Sequence, residues 1–260
     1  MSTVRYETSD RVATLTIDRP GARNALGPAE WQALEAGALR AAADAEVRVL
    51  IVTGAGGAFS AGGDVKTMPE RLALDPAERR ARLLADGKAI RALCEIEKPV
   101  IAQIDGPCVG AGLSLALACD LRIASRRATF GAVFHRVGLT GDFGLLHLLP
   151  RTVGAARAME MVLLAEVIDA ARAEAIGLVT RVVDPERLGD ETRDLARRLA
   201  EGPAVAQALS KTGLRRCADL DLDAAMEWEA AAQAITSKTE DAREGLAALA
   251  DKRKPRFIGR

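Results

Sequence analysis

Apolar and polar residues alternate along Arg11–Asp18 (RVATLTID), as they do in a strand with one buried face. The next run, RPGARNAL, breaks that period, and Pro28 opens a helical pattern reaching about Asp44. VRVLIVTG is rich in β-branched residues and leads into the glycine-rich turn GAGGAFSAGGD. A charged helical stretch follows from about Pro76 to Glu97. KPVIAQIDG then reads as a buried strand, AGLSLALACD as an apolar helix and LRIAS as another strand. Beyond Pro150 the pattern turns mostly helical, with GAARAMEMVLLA, AARAEAIGL and three alanine-rich helices between Pro185 and Asp251; the short strand LVTRVVD separates them. Strands alternating with helices, followed by a helical tail, predict an α/β core over residues 1–200 and a C-terminal helical subdomain over 201–260.

Composition narrows the function. In 260 residues, 36 basic side chains balance 36 acidic ones, so no overall field favours nucleic acid or an anionic membrane. No apolar run reaches the roughly 18–20 residues a membrane span requires, and MSTVRYETSD lacks a signal core. Cys94, Cys108, Cys119 and Cys217 show no paired spacing, and His135 and His147 have no partners at ligand spacing. These features predict a cytoplasmic protein with no metal site.

Two stretches carry candidate chemistry. Ser60-Ala61-Gly62-Gly63 offers a backbone that a ligand can approach without side-chain obstruction. Gly110-Ala111-Gly112 opens an apolar helix, whose first N–H groups are unpaired and carry partial positive charge. Two such donors aimed at one point make an oxyanion hole. Glycine turns needed only for strand–helix packing are the plainer account of each stretch taken alone. A phosphate loop is disfavoured, because neither stretch matches GxxxxGK[ST] or GxGxxG. A third feature is Asp142, alone in the apolar setting GLTGDFGLLHLLPR. It is either an N-cap for a helix starting at Phe143 or a carboxylate kept for chemistry.

DRPGARNAL, FSAGGDVK, DGPCVGAGLSLALACDLRIAS, GLTGDFGLLHLLPRTVG, AARAEAIGLVTRVV and EDAREGLAALADKRKPRF, in this order and spacing, resemble the enoyl-CoA hydratase/isomerase (crotonase) family over nearly the whole chain. The resemblance implies a superhelical core of repeated ββα turns, a helical trimerisation region and acyl-CoA thioester substrates. Coenzyme A is then part of the substrate, with no separate cofactor. It also implies that the N–H groups of Ala61 and Ala111 form the oxyanion hole. Ala25, Ser60, Gly62, Gly63, Asp64, Val65, Gly110 and Phe134 are expected around the thioester and acyl group. Arg23 is expected near the CoA phosphates, and Lys252 and Phe257 near a phosphorylated adenosine, with the tail reaching a neighbouring subunit of a trimer or hexamer. A solvated basic C-terminus is the plain alternative for that tail.

Hydratases of the family carry two glutamates, and the matching positions here are Ser114 and Phe134. Neither transfers a proton well. The remaining acid, Asp142, lies in the segment where single-acid enoyl-CoA isomerases hold their catalytic carboxylate. The resemblance therefore implies isomerisation of a 3-enoyl-CoA, or of a related ring-CoA, through a dienolate, with Asp142 as base rather than cap. The alternatives are an atypical hydratase, a thioesterase or dehalogenase using the same hole, and a non-catalytic acyl-CoA-binding subunit.

Overall fold

The computed structural model describes residues 3–260. Among them, β1 (Val4–Ser9), β2 (Val12–Ile17), β3 (Val49–Gly54), β4 (Val100–Ile104), β6 (Leu121–Ser125) and β9 (Arg181–Val183) form one sheet in the order β1-β2-β3-β4-β6-β9. β1 runs antiparallel to β2, and every later neighbour is parallel. β5 (Pro107–Val109), β7 (Thr129–Gly131) and β8 (Val167–Asp169) make a second sheet. These three strands are not signalled by the apolar pattern, because three residues are too few to display a period; β1 is missed because only Val4 of its six residues is buried.

The chain repeats one unit. A strand of the large sheet is followed by a strand of the small sheet and then by a helix: β4, β5 and α5 (Ala111–Ala118) in one turn; β6, β7 and, after a short 3-10 turn, α6 (Leu145–Val153) in the next. β3 leads the same way into Ser60, bridged to Cys108 of β5, and on to α2 (Met68–Ala73). This is the repeated ββα superhelix that the resemblance implies.

The helices divide between the two faces of the large sheet. On one side α1 (Pro28–Ala43), through Trp31, Leu34, Ala38 and Ala41, shares the main core with α4 (Lys88–Glu95) and α5. All eight residues of α5 are buried, as expected of a helix whose residues are apolar but for Ser114. On the other side α9 (Leu188–Ala200) covers Val49, Ile51, Ile101 and Ile123 with Leu188, Ala196 and Ala200.

Several boundaries differ from those the pattern predicts. The charged stretch divides at Gly87 into α3 (Pro76–Asp86) and α4. Helix α6 starts before Pro150 and runs through it; the acceptor that the missing N–H leaves unused belongs to Leu146, which is largely exposed. α7 (Ala155–Leu164) and α8 (Ala170–Ala175) fall where expected. From Pro185 onward four helices form rather than three: α9, α10 (Ala204–Cys217), α11 (Leu222–Thr236) and α12 (Glu240–Ala250). Asp221 and Thr239 cap the last two with their side chains, which splits a continuous alanine-rich pattern into separate elements.

Candidate active site

The loop after β2 organises the first glycine turn. Asn24, fully buried, accepts from Arg19 N at 2.9 Å and donates to the carbonyls of Ala55 (2.8 Å) and Ala58 (2.6 Å). The Ser60 hydroxyl donates to Asn24 O at 2.8 Å and accepts from Gly62 N at 3.1 Å. Arg19 reaches Asp64 at 2.8 Å, Glu30 at 3.2 Å and the Ala25 carbonyl at 2.7 Å. The Arg19 hydrogen bond, stronger here than the opposing cost of burial, holds the Asp64 carboxyl below its usual range. The side chains of Ser60 and Asp64, both expected among the ligand contacts, are buried and engaged within the protein.

Ala61 also departs from expectation. Its N–H donates to Arg23 O at 2.9 Å and is not open to a ligand. Two residues on, Gly63 N–H has no acceptor among the described residues, and neither does Ala111 N–H at the first position of α5. The two turns are packed tightly together. Gly62 takes φ +91°, and a Cβ there would lie 2.8 Å from Val109 O and 3.4 Å from Ala111 N. Only glycine permits that approach. The open donors are thus Gly63 and Ala111. The sequence places Gly63 among the substrate contacts but assigns the donor to Ala61, because the acceptor that occupies Ala61 comes from another loop.

Asp142 is not a cap. Helix α6 begins at Leu145, with Gly144 as its N-cap residue in the left-handed region and no side-chain cap. Phe143 also takes a positive φ of 51°, so the backbone cannot continue as helix from Phe143. The Asp142 carbonyl accepts from Leu145 N (3.1 Å) and from the buried Ser114 hydroxyl (3.0 Å), whereas its carboxyl oxygen Oδ1 is buried without any hydrogen-bond partner. Burial pushes this carboxyl up to about 6, against opposing pulls from Arg71 and Arg79. Phe143 seats the loop: its ring packs 4.5 Å from that of Trp31 and touches the α3–α4 junction at Gly87.

The other expected contacts are spread around this centre. Ala25 is buried; Arg23 and Val65 are exposed near the first turn; Gly110 precedes Ala111 at φ +54°. Phe134 is half-buried against the main core, and His135 beside it is exposed. The C-terminal tail folds onto its own chain. Arg253 pairs with Glu244 (2.6 Å), Lys254 with Glu201 (2.8 Å), and Asp241 accepts from Ile258 N and Gly259 N at 2.7 and 2.9 Å. Phe257 lies against Gly245 of α12 and, with these charged residues, lines a cleft of about 850 Å³; Lys252 stays exposed. No described helix is long and apolar enough to cross a membrane.

The two-sheet ββα architecture is also that of several solved proteins. A crystal structure from Mycobacterium abscessus superposes with a TM-score of 0.94 at 40% identity, covering 99% of this chain and 100% of that one. The crotonyl-CoA hydratase of Syntrophomonas wolfei is 37% identical over 98% of this chain and 97% of its own length. The 1,2-epoxyphenylacetyl-CoA isomerase of Escherichia coli is 35% identical over 96% and 95% respectively. The enoyl-CoA hydratase/isomerase family model matches residues 7–260. The chain belongs to that family and is an enzyme of the crotonase type.

Proposed function

We propose that this enzyme isomerises a 3-enoyl-CoA, or a related ring-CoA, to the 2-enoyl-CoA, with Asp142 as the single acid/base. The observation that carries the reading is the partnerless carboxyl oxygen of Asp142, in a site where the other two candidate acid positions are Ser114 and Phe134. The thioester carbonyl accepts from Gly63 N–H and Ala111 N–H. The Asp142 carboxylate takes a proton from the carbon next to the thioester, and the charge moves onto the oxygen as a dienolate. Each of the two donors is worth about 3–4 kcal/mol to that oxygen. The protonated carboxyl then returns the proton to the γ-carbon, which shifts the double bond. A carboxyl titrating near 6 is mainly ionised at neutral pH and more basic than a solvated one, which suits both steps. Coenzyme A enters as part of the substrate, and the reaction draws on no separate cofactor.

Hydration is the second reading, favoured by relatives named as hydratases. It requires a water held and split by groups this site lacks, since the Ser114 hydroxyl is committed to the Asp142 carbonyl. The deciding experiment supplies 3-enoyl-CoA and crotonyl-CoA separately and follows both products. The expected result is conversion of the first, little hydration of the second, and a loss of about 10²–10⁴ in isomerisation for Asp142→Asn. Hydration as fast as isomerisation and indifferent to Asp142→Asn would overturn the reading.

A further inference from the structure

Arg71 of α2 and Asp86 of α3 form a 2.8 Å ion pair with side chains only 13% and 8% exposed. The chemistry above uses neither, and a buried pair rarely adds net stability over apolar packing. Arg79 steadies the Arg71 backbone by donating to its carbonyl at 3.0 Å. The pair lies beside the loop of the candidate base: Asp86 directly precedes Gly87, where the α3–α4 junction meets the ring of Phe143, the residue after Asp142. The charges of Arg71 and Arg79 favour ionised Asp142, and that of Asp86 opposes it. Trp31 of α1, Ile90 of α4 and Ser114 of α5, which also meet this loop, are uncharged. Arg82 acts on Asp86 in turn.

A buried carboxylate with a bare oxygen, next to a guanidinium, ordinarily collects that guanidinium as a partner. Here Asp142 Oδ1 stays bare and Arg71 faces Asp86 instead. We propose that Asp86 is a positioning residue that holds the Arg71 guanidinium away from Asp142, leaving the base an unpaired oxygen for the substrate proton. The inference rests on Asp142 being the acid/base, and it adds a residue that works without touching substrate. Without Asp86, Arg71 turns to Asp142, stabilises its ionised form and blocks the oxygen.

The test is the isomerisation pH profile of Asp86→Asn, which keeps the side-chain shape. The expected result is a kcat at least roughly ten-fold lower with KM little changed, and an acid limb displaced downward by about 1–2 pH units. Adding Arg71→Met to Asp86→Asn restores both kcat and limb, because no guanidinium remains to misplace; a merely structural pair predicts a double variant no better than the single one. A folded Asp86→Asn enzyme with an unmoved limb and full kcat, or a double variant without recovery, overturns the inference. If Asp86→Asn does not fold by circular dichroism, Arg71→Gln is read instead: its limb must move to higher pH, and an unmoved limb is equally fatal. A wild-type enzyme lacking any acid limb that Asp142→Asn abolishes removes the acid/base reading itself. A limb that Asp142→Asn abolishes but Asp86→Asn leaves in place removes only the role of Asp86.

Discussion

The buried Ser114 hydroxyl donates a 3.0 Å hydrogen bond to the backbone carbonyl of Asp142. Ser114 sits on α5, the helix whose first residue, Ala111, presents an open N–H. The bond therefore ties the helix that carries this open donor to the loop that carries the candidate base. A residue at a position where hydratases of the family hold an acid here fixes the place of a different acid.

Ser114→Ala removes this tie without leaving the carbonyl bare, because Leu145 N still donates to it. We expect a stability loss of about 1 kcal/mol, typical of one hydrogen bond, and a several-fold fall in kcat. Thermal unfolding and steady-state isomerisation measure the two; unchanged kcat would show that the loop holds Asp142 unaided.

Asp142→Asn should stabilise the protein while inactivating it. The folded carboxyl titrates near 6 and the ordinary value is 3.8. Between these pH values the folded chain keeps a proton that the unfolded chain has released. The stabilisation from the neutral form is full below the ordinary value and is lost as pH rises through about 6. Above that, keeping the charge buried costs up to about 3 kcal/mol, because each tenfold gain in proton affinity on folding is worth about 1.4 kcal/mol. Asparagine avoids the cost, so Tm should rise by roughly 3–8 °C at pH 8 and change little at pH 4. Equal melting shifts at both pH values would contradict the assigned burial of the charge.

Ala111→Pro deletes one open donor at a helix position that tolerates proline. We expect a folded enzyme slowed by roughly 10²–10³ with modest change in KM. Ala61→Pro, by contrast, breaks the bond to Arg23 O and should lower Tm as well as activity. If Ala111→Pro folds and turns over normally, the hole lies elsewhere.

The helical tail offers a prediction about assembly. No residue of α11 is buried, and Leu222, Met226 and Ile235 on it are exposed, as are Leu246 and Leu249 on α12. So much uncovered apolar surface suits a trimer or larger assembly. Analytical ultracentrifugation should show that species, with Leu222→Glu plus Leu249→Glu shifting it toward monomer. Truncation after Ala250 removes Lys252 and Phe257 and should weaken acyl-CoA binding in a salt-sensitive way. A wild-type monomer, or unchanged affinity after truncation, would defeat the corresponding half.

The long strands β2, β3, β4 and β6 and the helices α1 and α5 can be read directly from residue order, because burial imposes a period or an unbroken apolar run on adjacent positions. The motifs likewise mark both glycine turns and single out Asp142. Local order does not reveal which N–H stays open. That depends on the Arg23 carbonyl arriving from the loop after β2 to occupy Ala61, leaving Gly63 free. Nor does it reveal the state of Asp142, whose fit to a cap motif is overridden by the positive φ values of Phe143 and Gly144. Its raised titration and its charged neighbours Arg71 and Asp86 come from elements distant in the chain. Donor availability and desolvation are properties of what packs against a group, and those partners meet only when the superhelix closes.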